Sequence, residues 1–175
     1  GKNRTILIPQ FSPIHFELMK GLMGNYGYDI VVLDESKNAI NEGLKHLNND
    51  VCYPAIVVIG QILDALKSGK YDVNNVTILL AQTEGQCRFT NYIKLLERGL
   101  KDAGFNDIPI LSFNMAGAKK EYALEGLNLE FLTKSLASMI YGDLFTKVLY
   151  RVRPYEKIKG STQKAYDKWM NICKE

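Results

Sequence analysis

Short apolar runs rich in β-branched residues alternate with longer amphipathic stretches along this chain, separated by polar or glycine-containing segments. The runs predict strands at Thr5–Pro9 (TILIP), Asp29–Leu33 (DIVVL), Val76–Ala81 (VTILLA) and Ile108–Phe113 (IPILSF). The amphipathic stretches predict helices over about Ile14–Asn25, Lys37–Leu47, Tyr53–Lys67, Phe89–Ala103, Leu129–Arg151 and Thr162–Cys173. Gly27, Ser68-Gly69 and Gly104 follow the apolar periodicity where a helix should stop. Pro109 removes a ladder donor, which makes the fourth strand an edge strand. Two helices have a definite expected inner face. Ile40, Leu44 and Leu47 mark it on one. Leu132, Leu136, Met139, Ile140 and Leu144 mark it on the long helix, where Gly142 implies a close neighbour.

Strands and helices alternating at this spacing form βαβ units, hence a parallel sheet with right-handed crossovers. The expected fold is a doubly wound (Rossmann/flavodoxin-like) α/β domain, with a four-stranded parallel sheet in order 2-1-3-4 and long carboxy-terminal helices. Residues 1–128 would form the α/β part with both cysteine loops. Residues 129–175 would add helices packed on the same domain. The opening Gly1-Lys2-Asn3, with no initiator Met, reads as the start of a single-domain fragment of a larger protein. In such sheets ligands sit beyond the carboxyl ends of the strands, here the loops QFSP, TEGQCRF and NMAG.

Composition narrows the setting. Hydrophobic residues at 46% and charged residues at 23% suit a globular domain. No apolar run nears the roughly 20 residues that span a bilayer, so no membrane contact is expected. An odd count of three cysteines without a signal-peptide pattern predicts a reducing, cytoplasmic location. The net charge of +3 gives no reason to expect nucleic acid. From Lys147 onward, eight Lys/Arg stand against three Asp/Glu, so the tail carries +5 and the rest −2. That tail reads as a solvated helical face, or as a contact for an acidic partner or CoA phosphates.

Familiar catalytic patterns are missing: GxxxxGK[ST], GxGxxG after the first strand, HExxH and GxSxG do not occur. His15 and His46 are too scattered for zinc, and His15 reads as structural. The chemistry rests on Cys52 and Cys87. Each sits where a polar loop enters a helical pattern, in NNDVCYPAIVVIGQ and TEGQCRFTNYIKLL. Free N–H groups at a helix N-terminus favour a thiolate or a bound anion. The plain alternative is that both are small buried hydrophobes, but their neighbours Asn48, Asn49, Asp50, Gln82, Thr83, Glu84 and Gln86 are polar. Arg88 could balance negative charge beside Cys87. If the two serve one site, they should face one cleft. Cys173, in the tail, reads as incidental.

NNDVCYPAIVVIGQILDALKSGKYD, QTEGQCRFTNYIKLLERGLKDAGF, YGD and LYRVRPYE together resemble the carboxy-terminal region of large CoA-substrate-specific enzyme activases, in the 2-hydroxyglutaryl-CoA dehydratase family. The resemblance runs over about Thr5–Glu156. It implies an α/β domain holding a [4Fe-4S] cluster through thiolates, in a system where an ATP-dependent activase drives a low-potential electron onto an acyl-CoA. It implies metal ligation by Cys52 and Cys87. Gln82, Thr83, Gly85 and Arg88 would shape the loop and hydrogen-bond to sulfur. The chain lacks the ATPase motifs, so its partners would be an activase or the remaining domains of the same polypeptide. Such a cluster wants three or four thiolates, and only two are well placed here. Two other readings stand beside this one. One is a non-catalytic docking domain. The other is a flavodoxin-like module that binds a small anion.

Overall fold

The computed structural model describes residues 4–34, 37–81, 85–113 and 128–174 of the 175-residue chain. Its elements run β1 (Thr5–Ile8), α1 (Pro13–Asn25), β2 (Ile30–Val32), α2 (Ala39–His46), α3 (Tyr53–Lys67), β3 (Val76–Ala81), α4 (Tyr92–Asp102), β4 (Ile110–Phe113), α5 (Leu129–Val152) and α6 (Ser161–Lys174). The four strands are all parallel in order β2-β1-β3-β4, with Leu7 level with Val31 on one side and Ile78 on the other. This is the doubly wound α/β sheet with a long carboxy-terminal helix that the alternation predicts. β4 lies at the edge and starts after Pro109, whose carbonyl still accepts the Ile78 N–H at 2.9 Å. Gly69 and Gly104 follow α3 and α4 with φ of +71° and +86°, a backbone that stops a helix at little cost only in glycine. None of the helices among the described residues is long and apolar enough to cross a membrane.

The chain divides into two compact units, one comprising residues 1–11 and 29–125, the other 12–28 and 126–175. The first holds the sheet with α2, α3 and α4. Its core joins Leu7, Val76, Ile78 and Leu80 of the strands to Ile59, Ile62 and Leu63 of α3 and Leu96 and Leu100 of α4. Helix α2 meets α3 through small residues. A Cβ on Gly43 would fall on the Ile56 carbonyl, and one on Gly60 on the Ala39 carbonyl. This contact corrects the expected face of α2. Leu47 is buried as expected, but Ile40 and Leu44 are exposed, and Ala39, Glu42 and Gly43 are buried instead, because backbone-to-backbone approach leaves no room for large side chains at the crossing.

The second unit packs α1 with α5 and α6. Ile14 and Leu18 of α1, Leu149 of α5 and Met170 of α6 form its core, edged by the Phe145 and Tyr166 rings at 5.7 Å. The Asn128 side chain caps α5, accepting the Phe131 N–H at 2.8 Å. His15 packs between α1 and α5. Its ring nitrogens lie 2.7 Å from Ser12 Oγ and 3.2 Å from Asp143, and a Cβ on Gly142 would strike it. The close neighbour expected at Gly142 is therefore present. The expected inner face of α5 is not. Leu132, Leu136, Met139, Ile140 and Leu144 are exposed, and Phe131, Gly142 and Leu149 on the other side are buried. The helix is apolar around most of its circumference, so periodicity could not choose which side packs.

Candidate functional site

β1 and β3 are the central strand pair, and in sheets of this kind ligands sit beyond the carboxyl ends of the strands. After β1, the Gln10 N–H donates to Oε1 of Gln61, a buried residue of α3, at 3.0 Å. The next residue, Phe11, places its ring edge-on to Phe89 with centroids 5.6 Å apart. Phe89 in turn packs edge-on against Tyr92, at 4.6 Å. These rings join the loop after β1 to the start of α4.

Cys52 is the residue before α3, and its carbonyl accepts the Ala55 N–H at 3.0 Å, which opens the helix. Pro54 sits in the first turn, where its missing N–H leaves no bond unmade. Cys87 precedes a short 3-10 turn over Arg88–Asn91 that leads into α4. The Cys87 carbonyl accepts from both the N–H and the Oγ1 of Thr90, at 3.2 and 3.1 Å. Both cysteines are thus the residues before a helical segment, as their flanking residues predict. Cys52 is half-buried and Cys87 exposed, and neither is in a disulfide.

Tyr92 links them. Its Oη lies 3.1 Å from Cys52 Sγ, with the phenol O–H the stronger donor of the two. Burial pushes the Tyr92 hydroxyl well above its ordinary range. The bond to Cys52 and then the charges of Cys52 and Cys87 push it the same way. A buried phenol that stays protonated is a durable hydrogen-bond donor to sulfur. Sequence reasoning passed over Tyr92. The signal was available: an aromatic with a polar tip, five positions after Cys87, at the start of an apolar helical pattern.

Gly85 and Arg88 are exposed beside Cys87, and Gln82 and Thr83 lie outside the described residues. Cys173 belongs to the other unit, at the end of α6. Among the described residues no three His, Cys, Asp or Glu side chains gather as a metal site. The contact among these groups is the one between Cys52 Sγ and the Tyr92 hydroxyl. Comparison of the chain with protein-family models, curated proteins and solved structures returned no match.

Proposed function

We propose that this chain contributes two thiolate ligands, Cys52 and Cys87, to an iron–sulfur site of a 2-hydroxyacyl-CoA dehydratase/activase system. The observation that carries the reading is the buried Tyr92 hydroxyl bonded to Cys52, on the helix that follows Cys87 in sequence. The sequence resemblance supports it by putting both cysteines in the segments most like that family. A [4Fe-4S] cluster would supply one-electron transfer at low potential. Its remaining ligands would come from outside the described residues. The electron would arrive from an ATP-dependent activase or from other domains of the same polypeptide, with an acyl-CoA or related molecule as acceptor.

The residues of the chain have separate roles in this reading. Cys52 and Cys87 bind. Tyr92 orients Cys52 and stabilises negative charge on its sulfur, which raises the potential of a ligated metal. Arg88 offers a cation at the open side of the site.

The test is anaerobic reconstitution of the full chain with iron, sulfide and an exogenous thiol that completes the ligand set. Wild-type protein should take up iron and sulfide and show thiolate-to-iron charge-transfer absorption. Cys52→Ser and Cys87→Ser should each lose both. Tyr92→Phe should keep the iron and move the reduction potential to more negative values. Absence of iron in the wild type, or equal iron in all variants, would refute the proposal.

A further inference from the structure

Helix α5 is apolar on two opposite sides. One side packs Phe131, Phe145 and Leu149 within its own unit. The other carries Leu132, Leu136, Ile140, Leu144 and Val148, each four residues from the next. These five side chains are 47% to 62% exposed. Residues at a spacing of four form one continuous ridge along a helix.

We infer that this ridge is a self-association surface, on which α5 of a second copy of the chain packs across a two-fold axis at Ile140. Three observations favour a second copy as the occupant. The ridge reads nearly the same in both directions from Ile140. Leu136 and Leu144 stand four residues either side of it, and Leu132 and Val148 eight. A two-fold interface requires this self-complementarity, because each residue must meet its mirror position on the partner. The ridge itself bears no charge. In the antiparallel arrangement the flanking Lys134, Asp143 and Lys147 stand opposite Thr146, Ala137 and Thr133, so no like charges meet.

The third observation is size. With flanking Leu129 and Met139, which are also exposed, the ridge offers on the order of 700 Å² of apolar surface. That approaches the roughly 800 Å² per partner of a standard interface and exceeds the patches of about 300–600 Å² usual on monomers.

Sedimentation equilibrium of the full chain should give twice the single-chain mass. Ile140→Glu and Ile140→Lys, each placing like charges face to face at the axis, should each give the single-chain mass. Mixing the two variants should restore the double mass, because opposite charges then meet. Circular dichroism of both variants should match the wild type, since the position is exposed. A wild type that stays monomeric at all concentrations overturns the inference, as do folded variants that remain dimeric or fail to associate when mixed. A monomeric wild type that floats with phosphatidylcholine vesicles also overturns it, and gives the face to a lipid surface.

Discussion

Gly60→Ala is expected to destabilise the protein by about 4 kcal/mol or more, enough to leave a marginal domain largely unfolded. The added methyl would fall on the Ala39 carbonyl carbon and oxygen and close to the Gly43 amide nitrogen, all of them backbone atoms. A flexible side-chain tip could swing away. A backbone carbonyl moves only if α2 as a whole shifts off α3. Close-packed interiors do not absorb such a shift locally. Gly99→Ala is the internal control. Its new Cβ would sit 3.4 Å from Ile59 Cγ2 and 3.8 Å from Leu63 Cδ1, ordinary contacts inside α4. It should therefore stabilise by about 0.5–1 kcal/mol, through helix propensity and a less free unfolded chain. Urea denaturation of the two variants measures opposite shifts in midpoint. Equal shifts would show that helix propensity, and not the α2–α3 contact, governs both positions.

Glu42→Gln carries the second large effect, and it depends on pH. Glu42 is buried on α2, and its carboxylate accepts from Lys45 and, at 2.7 Å, from Lys67. Lys67 Nζ also lies 2.8 Å from His46 Nε2, and His46 Nδ1 lies 2.5 Å from Asp102. The bonds from Lys45 and then Lys67 outweigh burial and pull the Glu42 carboxyl down from 4.5 to about 2. A carboxyl held low in the folded state stabilises that state fully above its unfolded value of 4.5. It loses the contribution as pH falls through 4.5 toward 2. At neutral pH the contribution is about 2–3 kcal/mol after allowing for solvent around the lysines. The variant should be weaker than wild type by that amount at pH 7. Near pH 2 most of the difference should vanish. A gap of the same size at both pH values would mean that the amide fails by shape and not by charge.

Much of the first unit was legible along the chain, because its signals are local. A buried parallel strand such as VTILLA is apolar on successive residues, and the turn glycines after α3 and α4 stand where the periodicity ends. The order 2-1-3-4 was expected as the commonest solution for this alternation, and the structure has it. The two cysteines were legible as residues that open helical segments, because caps and proline mark such points within a few residues.

Contacts between distant segments were not legible. α2 showed a convincing stripe in Ile40 and Leu44 yet buries Ala39 and Gly43, since the approach of two backbones outranks the packing of larger side chains. α5 offered two apolar sides, and only the positions of α1 and α6 chose between them. Tyr92 and Cys52 lie 40 positions apart, and no local pattern names such a pair. Hydrophobic period and turn chemistry determined the elements and their order, being properties of neighbouring residues. The tertiary structure alone decided which faces are buried and which polar atoms meet, because those depend on distances between residues far apart in sequence.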